Sequence, residues 1–123
     1  MLNILCIAIG GGTGAVLRFC LSDWLALILG RNFPYGTLAA NIIGSFLIGV
    51  LFVCLHKWDA PVYWRLGLMV GLLGGFTTFS AFSIETVMLI EAGKYIKALI
   101  NVLASVSVCL AACWAGLLTA RQL

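Results

Sequence analysis

Four apolar stretches, each long enough to cross a bilayer, constrain this sequence more than any other feature. A span needs about 20 mostly apolar residues to bridge about 30 Å of hydrocarbon. Leu2 to Leu29, Tyr35 to Leu55, Val62 to Ile90 and Tyr95 to Ala120 all qualify. Only short polar turns separate them: Gly30, Arg31, Asn32 and Pro34, then Lys57, Trp58, Asp59 and Pro61, then Glu91, Gly93 and Lys94. Glycine, proline and asparagine at such places stop helices and turn the chain. The expected fold is all-α, a pair of helical hairpins in which residues 1–123 form one four-helix transmembrane domain with almost nothing outside the bilayer. A soluble globule is excluded, because 63% apolar and 9% charged residues cannot give it a polar surface. The opening MLNILCIAIG has no basic stretch ahead of its apolar run and no cleavage site, so it reads as a retained span rather than a signal peptide.

Lys and Arg number seven against four Asp and Glu, too sparse and scattered for a nucleic-acid surface. Orientation in a membrane follows the Lys and Arg count on each side. With the N-terminus on one side, Lys57, Arg65 and Arg121 share that side, while Arg31, Lys94 and Lys97 lie opposite, three against three. A tie gives the insertion machinery no reason to prefer either orientation, so copies are expected to insert both ways and to pair as an antiparallel homodimer. The five cysteines, Cys6, Cys20, Cys54, Cys109 and Cys113, match no zinc or redox spacing and read as small apolar packing residues. Trp24, Tyr35, Trp58, Tyr63, Trp64 and Tyr95 fall near span ends, where aromatic rings sit among headgroups.

Polar groups inside spans are costly and mark the places to look for function. In the first span, the small residues from Gly10 to Ala15 let another backbone come close. Arg18 follows, and its guanidinium cannot deprotonate. It must find an anion, a carbonyl cluster or a wet vestibule, unless it pairs with Asp23 or snorkels to the interface. In the second span Thr37 and Asn41 lie one turn apart with Gly44 in line. Asn41 can bond a neighbouring helix or offer its amide to a passing ligand. The third span carries Gly74, Gly75, Thr77 and Thr78, poor helix formers at mid-membrane depth, and is longer than an unbroken crossing needs. It is expected to break between Gly74 and Thr78. Non-helical backbone at that depth must be buried or line a polar site. After the break, Phe79, Phe82 and Ser83 share a face, with Ser80 close by, and Glu85 follows. The fourth span adds Asn101, Ser105 and Cys109 at helical spacing, a thin polar stripe suited to line a path or hold a helix.

These residues resemble the Fluc, or CrcB, fluoride channels of microbes over the whole chain. The resemblance rests on Gly11-Gly12-x-Gly14-Ala15-x-x-Arg18, on Asn41-x-x-Gly44, and above all on Gly74 to Ser83 followed by Glu85. It implies a dual-topology antiparallel homodimer in the bacterial inner membrane, with two passive fluoride pores and no catalysed chemistry. It also implies a central structural sodium ion held by backbone carbonyls, by position those of Gly74 and Thr77. Phe79 and Phe82 would line the pores with Asn41 as a donor nearby. Thr37, Ser80, Ser83, Asn101 and Ser105 are the further candidates for the polar path, and Arg18 and Glu85 for anion attraction or support. Many relatives carry a threonine where this chain has Ala81, and the fourth-span track is thin at Cys109. A small multidrug exporter would also have four spans and dual topology, but it needs a membrane-embedded carboxylate in the first span. A structural subunit of a larger complex needs no polar track at all.

Overall fold

The computed structural model describes all residues, Met1–Leu123. It is helical throughout: α1 Leu2–Leu29, α2 Tyr35–Lys57, α3 Val62–Arg65, a π-helical segment Leu66–Leu73, α4 Gly74–Phe76, α5 Phe79–Glu91 and α6 Tyr95–Gln122. Four helical units are long and apolar enough to cross a membrane, the third being the composite Val62–Glu91. Helices α2 and α6 run a turn-fraction past the expected Leu55 and Ala120, because polar residues at the headgroup level need not interrupt a helix. Gly30 ends α1 with φ 83°, and its N–H donates to Ala26 O. Gly93, with φ 76°, closes the turn after α5. Both stand where a side chain would strain the left-handed backbone.

Two seams of backbone contact hold the bundle. Along α1, Gly10 and Gly14 face Gly67, Gly71 and Gly75 of the third span at four-residue spacing. A Cβ on Gly10 would strike Gly67 O, one on Gly14 would strike Leu72 O and Phe76 N, and one on Gly75 would strike Gly11 O. The second seam joins α2 to α6, where a Cβ on Gly49 would meet Cys113 O and one on Gly116 would meet Phe46 O. In lipid no hydrophobic force draws helices together, so such close approach supplies the dispersion contact that does. All five cysteines are free thiols, Cys54 buried and Cys20 exposed on the helix surface.

The third span breaks where the sequence places the break. Thr77 (φ −85°, ψ 155°) and Thr78 (φ −153°, ψ 124°) are extended, a conformation that suits β-branched residues. Thr78 then caps α5, its Oγ1 accepting from Ala81 N at 3.1 Å. The π-helical turns ahead of the break were not expected. LGLMVGLL is apolar on every side, so no polar face registers the change of helical period.

Candidate functional site

A break in a membrane helix orphans backbone groups, and each must find a partner. Here four of them are accounted for. Thr78 N–H, which would donate to Gly74 O in an unbroken helix, donates instead to Asn41 Oδ1 at 2.8 Å. Asn41 Nδ2 in turn donates to Thr78 O at 3.0 Å. The Asn41 carboxamide thus clamps both faces of one peptide residue across 37 positions of sequence. Ala81 N–H, the helical donor for Thr77 O, is taken by the Thr78 hydroxyl. Arg18 Nε donates to Gly75 O at 3.2 Å.

Gly74 O and Thr77 O, the carbonyls that the family resemblance singles out, have lost their helical donors to Asn41 and to the Thr78 hydroxyl. They are hard oxygens, and Gly74 and Thr77 border the same groove. Backbone oxygens are the ligand type that hard cations take. No cluster of three or more His, Cys, Asp or Glu side chains offers a rival metal site.

The groove beside the break holds about 450 Å³ and is bordered by Asn41, Gly44, Met69, Gly74, Thr77, Thr78, Phe79, Phe82, Ser105 and Cys109, among others. It brings together residues from α2, the third span and α6. The Phe79 and Phe82 rings are 5.3 Å apart and tilted by 47°. Phe82 is 9% exposed and Phe79 77%, so one ring is packed in the protomer and the other stands out from it. Ser105 Oγ is buried without a hydrogen-bond partner, an open donor on the groove wall.

The remaining candidates lie elsewhere. Thr37 Oγ1 donates to Glu85 Oε1 at 2.8 Å. Both border a second cleft of about 380 Å³ with Ser22, Arg31, Asn32 and Lys94, and Glu85 Oε2 has no partner. Asn101, 2% exposed, donates to Thr86 Oγ1 at 2.9 Å, and Thr86 donates to Phe82 O at 2.7 Å. That chain ties α6 to the backbone that carries the Phe82 ring. Ser80 Oγ lies 3.2 Å from Thr78 Oγ1, and Ser83 Oγ donates within its own helix to Phe79 O. Arg18 reaches a single backbone carbonyl, Gly75 O, and Asp23 pairs with Arg31 at 3.6 Å instead.

Nothing local in the sequence marks Thr78 as the clamp point or Thr86 as a link. Thr78 was visible only as one of two adjacent β-branched residues. Thr86 sits one turn beyond Phe82 and carried no separate signal.

The family model described as CrcB-like protein, Camphor Resistance (CrcB), matches residues 5–117. The chain belongs to the CrcB family. It is 50% identical to a protein of Geobacter metallireducens named fluoride-specific ion channel FluC, over all of both chains. A protein of the same name from Coxiella burnetii (strain Dugway 5J108-111) is 49% identical over 99% of this chain and all of its own. Another, from Geobacter sulfurreducens, is 50% identical over all of both. This CrcB chain is accordingly a multi-pass membrane protein, and the broken third span with its groove is the feature its motif-bearing residues build.

Proposed function

We propose that this protein is a fluoride channel that lets fluoride leave the cytoplasm passively and so protects the cell from its toxicity. The reading is carried by full-length identity of about half to relatives named fluoride-specific ion channels. The groove supports it physically. An aromatic ring is positive at its edge, so Phe79 and Phe82 can face an anion that is shedding water without binding it too tightly for it to leave. Asn41 has one N–H beyond the one given to Thr78, and Ser105 has an unused hydroxyl. Such donors match a small, strongly hydrated anion.

The protein is a transport pathway and not an enzyme. The exporter alternative needs an embedded acid in α1, and the acid present there, Asp23, is exposed and paired with Arg31.

The working unit of this reading is an antiparallel homodimer in the bacterial inner membrane. Only 17 of 123 residues are buried in one protomer, and the groove lies on its surface, where a second copy can wall it. A sodium ion held by the carbonyls of Gly74 and Thr77 from both copies would supply positive potential to the two pores and tie the breaks together. Thr37, Glu85 and the basic residues of the second cleft then form a mouth, and Arg18 steadies the break. Protein reconstituted in liposomes loaded with fluoride tests the reading: an ion-selective electrode should record rapid efflux with no proton gradient and no added substrate. Liposomes that retain fluoride, or release it only against a proton gradient, would overturn it.

A further inference from the structure

We infer that Gly44 is a positioning residue for conduction: its missing side chain is the socket that seats the Thr77 methyl and thereby sets the course of the extended break. The inference rests on the fluoride-channel reading and deepens it.

A Cβ built on Gly44 would collide with Thr77 Cγ2, while its next contact, Phe76 Cδ1, lies at an ordinary distance of 3.5 Å. The socket is therefore specific to one methyl group. That methyl cannot turn aside freely. Thr77 Oγ1 donates to Leu73 O at 2.9 Å, and Thr77 N donates to the same carbonyl at 2.9 Å. Rotating χ1 to free the methyl would break the hydroxyl bond, and threonine is stiff at χ1 in any case. The alternative is to move the backbone of Thr77. Its neighbour Thr78 is clamped by Asn41, one turn before Gly44 on the same helix. Helix α2 thus grips the break at two adjacent points, by a bidentate hydrogen bond at Thr78 and by a steric socket at Thr77.

What the socket controls follows from where Thr77 stands. Gly44 and Thr77 both border the groove with Phe79 and Phe82, and Thr77 O has lost its helical donor, Ala81 N–H, to the Thr78 hydroxyl. Displacing the Thr77 peptide re-aims that carbonyl and the start of α5, which carries both rings. Interiors are close-packed, so an added methyl must be absorbed by such a shift.

The contact can be tested by exchanging the methyl from one side to the other. Gly44→Ala should lower fluoride efflux from liposomes about tenfold or more, the effect of roughly 1.4 kcal/mol on the barrier. Thr77→Ser keeps the hydroxyl for Leu73 and removes the colliding methyl, and its efflux, measured alone, sets the reference level. The double variant Gly44→Ala/Thr77→Ser should recover efflux to that same level. Recovery is the decisive result, also where Gly44→Ala by itself fails to assemble. A Gly44→Ala protein with wild-type efflux would overturn the inference. So would a double variant no better than Gly44→Ala, whether it is folded and slow or unfolded. Wild-type protein without any fluoride efflux would instead remove the channel reading, and this inference with it.

Discussion

At the residue scale, the two phenylalanines share a chemistry but not an environment. Phe82 is 9% exposed and is braced through its backbone carbonyl by Thr86 and Asn101, whereas Phe79 is 77% exposed in the protomer. Phe82→Ile should lower stability by up to about 1.5 kcal/mol, the scale of a volume-conserving core swap, and Phe79→Ile by less. Both should slow fluoride efflux by about tenfold or more, because each removes a ring edge that offsets dehydration, and each 1.4 kcal/mol of barrier counts tenfold. Efflux assays paired with thermal melts check this, and equal efflux from both variants and wild type would reduce the rings to packing. Asn41 joins fold and path in one side chain. Asn41→Leu leaves Thr78 N–H and C=O without partners, at about 1–3 kcal/mol for each buried group, so a lower melting temperature should accompany its loss of flux. Asn41→Asp retains the acceptor for Thr78 N–H and should melt between the two. A Leu variant as stable as wild type would show that water replaces the clamp.

At the scale of the elements, glycine positions separate contacts that matter from space that is open. A Cβ on Gly14 would strike Leu72 O and Phe76 N, both backbone atoms that cannot swing away, whereas Gly12 has nothing within 4 Å. Gly14→Leu should therefore push α1 off the break and abolish the folded species on a sizing column. Gly12→Ala should be neutral or gain up to about 1 kcal/mol from the higher helix propensity of alanine, as read by thermal melting. The reverse ranking would mean that the α1 seam is not where the bundle closes. The spans were legible in sequence because hydrocarbon demands long apolar runs, and the break because Gly74, Gly75, Thr77 and Thr78 all oppose helix. What stayed hidden was pairing. That α1 lies on the π-helical segment, or that Asn41 reaches Thr78, depends on contacts between distant residues that no local pattern encodes. Asn101 shows the same limit: its spacing with Ser105 reads as a stripe along a path, yet its amide is buried against Thr86, while the Ser105 hydroxyl is the one left open on the groove.

At the scale of the whole molecule, the even distribution of basic residues becomes a testable statement about assembly. Lys57, Arg65 and Arg121 on one side balance Arg31, Lys94 and Lys97 on the other, so a small addition should tip the insertion choice. Gln122→Lys with Leu123→Lys adds two charges beside Arg121, at exposed positions away from the groove. Glu91→Lys with Tyr95→Lys adds two lysines on the opposite side, again at exposed positions and outside both clefts. Neither pair touches the break, so each protomer should fold as before. Each variant expressed alone should nevertheless lose most of its fluoride export, because nearly all copies would share one orientation and few antiparallel partners would remain to wall the groove. Expressed together, the two should restore export, since each supplies the orientation the other lacks. Cysteine labelling at the termini reports the orientation directly, and growth of fluoride-sensitive cells reports export. Full activity from either variant alone, with all its copies shown to face one way, would exclude the antiparallel dimer and require the groove to be closed by lipid or by a parallel copy.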